Sequence, residues 1–350
     1  MANWLLANLA AGVAFAGAVA VTAQPASKPA GKPAAKSAAA ASADQPIDRN
    51  ILHVQVILDH LGFGPGILDG RPGMSLTAAL KGFQESRGLP ETGEIDTRTL
   101  GALKRYAAWR PTRQLRLTQA VLAGPFVAAI PKDEAEQAKL PAMSYRNPLE
   151  KLAEMFHTTP EVLIKLNSPQ TRLTPGALIT FPNALPTSRD YQGEMKPEWR
   201  QTLNALNVDA RQPKGVKIVV DKSDAVLRVL DAEDRLVGQF QATMGSSRDP
   251  LPLGNWKVLH ISPLPDWKFN PLILKKVPDS KQAQVIPPGP NSPVGVVWID
   301  LSKEHYGIHG TAEPHQIGRA QSNGCVRLTN WDAARVALMI KAGAPVIFQA

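Results

Sequence analysis

Cysteine is all but absent from this chain: Cys325 is the single one in 350 residues, so no disulfide can close within it. Aromatic residues make up only 6%, and no basic stripe with interleaved aromatics occurs, which excludes the usual signature of nucleic-acid binding. Beyond Val21 no apolar run approaches the roughly 20 residues that a bilayer-crossing helix needs. Around the C-terminal histidines no carboxylate stands at ligand spacing. His305, His309, His315 and Cys325 could be gathered round a zinc ion, yet without that partner no metal site is expected and no cofactor is required. What is present bounds the rest. The length allows two or three domains, and a hydrophobic fraction of 44% suffices for real cores. Lys plus Arg number 39 against 30 acidic residues, a net charge of +9. That excess suits an anionic surface, either a membrane or a carboxylate-rich polymer, or serves solubility alone.

Residues Trp4 to Val21 are apolar except for Asn8 and lead into "AVTAQ". Small side chains at Val21 and Ala23 fit a signal peptide of residues 1–23 cleaved before Gln24, and an uncleaved anchor tethering the protein to the membrane is the alternative. Either places the bulk of the chain outside the cytoplasm, in a periplasmic or wall-associated setting. Residues 24–46, rich in Ala, Pro, Lys and Ser, read as a disordered linker. In an oxidising compartment a lone cysteine suggests a reactive thiol or an intermolecular bridge. A Gly before Cys325 and an Arg two residues after it fit a closed apolar core poorly. The thiol reads as a working one.

Residues 47–107 read as a small three-helix domain. Val54, Ile57, Leu58 and Leu61 mark one helix face, Leu76, Leu80 and Phe83 a second, and Asp96 caps a third carrying Leu100 and Leu103. "GFGPGILDGRPG" between the first two is turn chemistry throughout. With its Gln, Leu-Gly, Asp-Gly, Phe-Gln, Gly-Leu and Thr-Gly pattern and terminal "D-x-x-T-x-x-x-L", the segment resembles the peptidoglycan-binding domain. Residues 113–186 form a second module. Leu149, Leu152, Ala153 and Phe156 predict one helix, Thr159 caps another that begins at Pro160, and "GALITFPN" ends in a strand. This small α/β unit resembles a LysM module, which implies either binding of N-acetylglucosamine-containing glycans or a structural role. Arg146 and Asn147 stand where that family usually has Gly-Asp.

From Gly215 the periodicity changes. "VKIVVDKSDAVLRVLDAEDRLVGQFQATMG" predicts three strands, and "GNWKVLHI", "GVVWIDL" and "YGIHG" add more. One helix follows Thr329 with Asp332 as its capping-box partner, and "PVIFQ" is a last strand. Residues 215–350 therefore read as a mainly-β sandwich domain with one helix, making the whole a multidomain α+β chain. The long Pro-rich stretch between strands, residues 263–293, reads as a lid or binding loop.

A thiol of ordinary pKa is only a few per cent thiolate at neutral pH, so Cys325 needs a base. His309 is the nearest candidate: its Nε2 would take the proton, giving a thiolate–imidazolium pair, while the Gly310 carbonyl would fix the tautomer. Ser322, Asn323 and Gly324 place backbone N–H groups beside the sulfur for an oxyanion. Arg327, two residues on, would share the face of Cys325 and suit a substrate carboxylate. Trp298 and Tyr306 are candidates for substrate contact.

"IHGT" followed by "SNGCVRLTNWDA", with "ATMGSSRDPLPLGNWKV" and "PPGPNSPVGVVWIDL" upstream, is similar to the YkuD-type L,D-transpeptidase catalytic domain. Asn323 departs from the His frequent there. The resemblance implies a cysteine acyltransferase of peptidoglycan biosynthesis. Cys325 would attack a tetrapeptide stem at the L-centre of diaminopimelate, release D-Ala, and pass the acyl group to an amine in a 3→3 cross-link. Water or a lipoprotein lysine as acceptor would make it an L,D-carboxypeptidase or an anchoring transferase. A papain-like endopeptidase would have its cysteine before its histidine. A non-catalytic peptidoglycan-binding protein would need only the two N-terminal modules.

Overall fold

Helix starts in this protein follow from side-chain caps. Asp48 accepts from the main-chain N–H of Asn50 at 2.7 Å and opens α1 (Arg49–His60). Strand β1 (Phe63–Gly64) and α2 (Met74–Ser86) follow, and Asp96, accepting from Thr99 N at 2.8 Å, opens α3 (Thr97–Leu103). The structure, a computed structural model, describes residues 46–246, 249–272, 280–320, 322 and 324–350. The expected signal peptide and linker fall outside the described residues except for Pro46.

Val54, Ile57, Leu58, Leu80, Phe83 and Leu103 form the core of this helical unit. Two glutamines of the quoted pattern are buried inside it. Gln55 Oε1 accepts from Gly70 N at 2.7 Å, and Gln84 Oε1 accepts from Gly93 N at 2.8 Å, so each ties a turn to a helix. Leu100 does not join Leu103 inside: it is 49% exposed, on the outer side of a seven-residue helix. The expectation of turns throughout "GFGPGILDGRPG" is also corrected. Phe63 and Gly64 pair in parallel with Gln239 and Phe240, so β1 is an edge strand on the C-terminal sheet.

In the second module β2 (Thr112–Arg116) lies antiparallel to β3 (Leu178–Pro182), with α4 (Pro148–Met155) and α5 (Pro160–Leu166) between them in sequence. Asn147 caps α4 by accepting from Glu150 N at 2.9 Å, and Thr159 caps α5; each helix begins with proline, whose missing N–H costs nothing there. Phe156 and Phe181 stack at 4.0 Å in the module's core. Strand β2 was not anticipated from the sequence.

The C-terminal part is mainly β. Strands β4 (Lys217–Asp221), β5 (Val226–Leu230), β6 (Leu236–Gln241), β7 (Gly254–Pro263), β10 (Val297–Leu301), β11 (Gly307–His309), β12 (Val326–Arg327) and β13 (Pro345–Gln349) join β1 in a nine-stranded sheet. Its order is β1-β6-β5-β4-β13-β7-β10-β11-β12. The long β7 pairs with β13 through its first half and β10 through its second. Bridges from Thr243 to Arg327 and from Gly245 to Ser322 then bring the chain after β6 against β12, so the sheet wraps round one core. A helix, α7 (Asn330–Met339), fills it with Trp331 and Val336; Thr329 caps the helix, donating to Asp332 Oδ2 at 2.8 Å and accepting from Asp332 N. The core takes in a second helix that the sequence did not announce, α6 (Pro197–Ala205), through Trp199 and Leu203.

Residues 43–350 form one compact unit, and buried charge explains why. Asp59 of α1 receives Arg335 of α7 at 2.8 Å and 3.0 Å, and faces His157 Nδ1 of the second module at 3.0 Å. His157 Nε2 bonds the Leu206 carbonyl at 2.7 Å, and its ring stacks on Trp331 at 5.0 Å. Arg335 holds the Asp59 carboxyl far below the usual range despite burial. The long loop also docks. Hairpin strands β8 (Trp267–Phe269) and β9 (Gln284–Ile286) bury Phe269 and Ile286 against Met143 of the second module. Trp267 and Phe269 therefore pack at this junction.

Candidate active site

The site lies where β10, β11 and β12 run side by side. Antiparallel pairing sets Trp298 opposite His309, and parallel pairing sets His309 opposite Arg327. Paired residues share a face, and Cys325 precedes Arg327 by two positions. Trp298, His309 and Arg327 are brought together by register, and Cys325 stands in the bend that leads into β12.

Glycines make the close approaches possible. Gly307 lies under the Trp298 ring, which a side chain there would overlap. Gly324 has φ +104° and backs onto Tyr306, whose ring any Cβ would meet at 2.6 Å. Buried Ser322 donates its hydroxyl to the Cys325 carbonyl at 2.6 Å and anchors the turn through a 3.1 Å bond from its N–H to Met244 O. Asn323 falls outside the described residues.

His309 is 3% exposed; its Nδ1 lies 2.7 Å from Gly310 O, so Nδ1 carries the proton and Nε2 is left as the basic atom. The Trp298 ring stacks on the imidazole at 5.3 Å. Cys325 is partly exposed, with its sulfur 3.7 Å from the His305 carbonyl. His305 and His315 are both exposed, away from any metal-binding role with His309, whose Nδ1 is engaged by the main chain. Trp298 and Tyr306 are half-buried around the sulfur and imidazole.

The electrostatics correct the expectation of a resting thiolate–imidazolium pair. Burial, then the Arg327 cation, push the His309 imidazole down to about 3, against the Gly310 bond that raises it. Burial raises the Cys325 thiol from its ordinary 9.0, opposed by a hydrogen bond from Gly307 and by Arg327. Both groups are neutral at pH 7. Arg327 itself is pulled below its usual value by burial, and its buried Nε has no hydrogen-bond partner among the described residues.

Two residues of the site escaped sequence reasoning. Asn330, fully buried at the start of α7, sets its Oδ1 against both Gly310 and Gly295, whose φ is +63°. Its Nδ2 donates to Glu154 Oε1 of α4 at 2.9 Å. Glu154 lies off the predicted inner face of that helix, and only docking of the second module buries it.

A mainly-β domain thus carries a cysteine, a histidine oriented by a main-chain carbonyl, and a partly buried arginine on adjoining strands. Residues 215–348 match the family model described as the L,D-transpeptidase catalytic domain (YkuD), and residues 48–103 match that of the "Putative peptidoglycan binding domain". Each of these matches covers less than half of the chain. It is similar to the "Putative L,D-transpeptidase YkuD" of Bacillus licheniformis, at 48% identity over 130 residues, covering 37% of this chain and 63% of that protein. It is also similar to the protein of that name from Bacillus subtilis, at 47% identity over 57 residues, covering 16% and 35%. The matches thus span less than two thirds of those relatives' lengths.

Proposed function

We propose that the protein is a peptidoglycan L,D-transpeptidase of the cell envelope, with Cys325 as nucleophile and His309 as general base and acid. The observation that carries this reading is the 2.7 Å contact of His309 Nδ1 with Gly310 O, which leaves Nε2 as the basic atom on a strand paired with the one that follows Cys325. In the first half-reaction His309 Nε2 takes the thiol proton as sulfur attacks the carbonyl carbon of the third stem residue. The main-chain N–H groups of the Ser322–Cys325 turn receive the oxyanion. The C–N bond to D-Ala breaks, His309 returns the proton to the leaving amine, and a thioester remains. In the second half-reaction the acceptor amine loses a proton to His309, attacks the thioester and expels sulfur. Arg327, a partly buried cation two positions after Cys325, pairs with a stem carboxylate, and Trp298 and Tyr306 wall the cleft.

The domain limits 47–107, 113–186 and 215–350 belong to the same reading, with an exported chain held by residues 1–46. The helical unit engages peptidoglycan. The second module's paired strands β2 and β3 with helices α4 and α5 between them suit a LysM-like fold, and Asn147, which caps α4, supplies the acceptor at that helix start. The test is mass spectrometry of muropeptides after incubation with the purified protein. Cross-linked 3→3 dimers should form with the wild type and vanish with Cys325→Ala; only shortened stems would make it a carboxypeptidase. Wild-type protein that alters no muropeptide, while still binding sacculi, refutes the enzyme reading in favour of a binding protein.

A further inference from the structure

The site continues behind His309 into a different module. Gly310 O, which orients the imidazole, belongs to a residue with no side chain because Asn330 Oδ1 occupies that space. The same Oδ1 accepts from Val296 N at 3.2 Å and lies against Gly295, so one amide oxygen spaces two backbone segments. An amide so placed can rotate unless its nitrogen is also held. Asn330 Nδ2 is held twice, by Pro290 O at 3.0 Å and by Glu154 Oε1 at 2.9 Å. The second of these acceptors comes from α4, outside the catalytic sheet altogether.

The loop bearing Pro290 leans on the second module too. Met143 N donates to Pro288 O at 2.9 Å, Asn291 Nδ2 donates to Ser144 O at 2.9 Å, and Gly289 packs directly on the Met143 main chain. Both restraints on the Asn330 amide therefore depend on that module's seat. Tyr145 faces the Glu154 carboxyl from within the module. We propose that Glu154 is a positioning residue for the active site, acting through Asn330 on the Gly310 carbonyl that sets the tautomer and tilt of His309. The second module is, on this view, part of the catalytic apparatus as well as any glycan contact it makes.

The inference rests on the reading of His309 as the base for Cys325, and it is tested without peptidoglycan. The probe is the rate at which a carbapenem acylates Cys325 in the full chain at fixed neutral pH, read as the mass shift of the protein. Sulfur attacks the lactam carbonyl, the C–N bond opens and the ring nitrogen takes up the thiol proton, so His309→Ala sets the rate without a proton carrier. Misplacing a catalytic group by about 1 Å from a distance can cost on the order of a hundredfold, so Glu154→Ala should slow acylation by roughly tenfold or more toward the His309→Ala rate. Burial raises the Glu154 carboxyl to about 7, so an uncharged acceptor is a fair substitute. Glu154→Gln should therefore stay within about twofold of wild type, a rescue that packing alone would not require. Should Glu154→Ala fail to fold, Glu154→Met keeps the volume, lacks the acceptor, and should show the same slowing. A Glu154→Ala or Glu154→Met protein that is acylated at the wild-type rate overturns the proposal, whatever its melting temperature. Wild-type and His309→Ala rates that coincide overturn the base assignment itself, and the proposal with it.

Discussion

The protonation state of the resting site offers the sharpest test of how it works. Burial raises the thiol above its ordinary value and lowers the imidazole to about 3, so moving a proton from sulfur to Nε2 runs uphill in the resting site. At ~1.36 kcal/mol per pH unit, charging an imidazole of that value at pH 7 alone costs about 5 kcal/mol. Cys325 should thus behave as a neutral thiol until substrate binds. The sign follows directly: His309 with a lowered value is uncharged throughout the neutral range, and Cys325 with a raised value ionises only on the alkaline side. The assay is the alkylation rate of Cys325 by iodoacetamide between about pH 5 and pH 10. The rate should climb steadily with pH, with no plateau below the ordinary thiol value. A plateau reached in mildly acid solution, as an ion-paired cysteine gives, would refute the reasoning.

Two further outcomes follow from the same geometry. Asp59→Ala leaves buried Arg335 with only the Asp332 carboxyl, 3.5 Å away, and unties His157, so it should lower unfolding stability by roughly 3 kcal/mol in a denaturant titration; a loss below about 1 kcal/mol would show that the three-way contact is not formed in solution. Gly324→Ala forces a side chain into φ +104° and onto the Tyr306 ring, at a strain of about 1–3 kcal/mol next to the nucleophile. Acyl transfer should fall steeply while circular dichroism stays native, and unchanged turnover would mean that the turn relaxes freely.

Much of this was legible because its causes are local. Asp96, Thr159 and Thr329 announce their helices since a side-chain cap needs only the next three residues. The strands from Lys217 onward show in their alternation, and His309 and Cys325 stand out because a lone cysteine needs a base. What escaped depends on partners far along the chain. Phe63–Gly64 becomes a strand only because β6 offers an open edge. Glu154 reads as a surface residue of an amphipathic helix until Asn330, 176 positions away, is placed against it. Asp59 and Arg335 are separated by 276 positions, and neither sits in a pattern that marks a buried ion pair. The neutral resting site was missed for the same reason, since burial dominates both pKa values and burial is a property of the assembled fold.

The way the modules attach changes what each is for. A sheet that ended at β6 would present a row of unpaired main-chain groups, a template for association with another copy. Strand β1 covers that edge, and Gln239 Nε2 reaches back to the Ala78 carbonyl of α2 at 2.6 Å, so the helical unit is joined to the catalytic sheet by main chain and side chain together. The opposite end of the sheet carries the nucleophile, and there the chain after β6 closes on β12 through Thr243 and Arg327. One strand thus meets the helical module along its length and the active-site segment at its end. Behind the site the second module supports Asn330, and between all three modules Asp59, His157 and Arg335 share one buried cluster. A flexible string of binding modules would need none of these contacts. Their joint presence argues that the helical unit and the second module are built into the same compact unit as the sheet that carries His309 and Cys325, so that neither can shift without disturbing the packing behind those two residues.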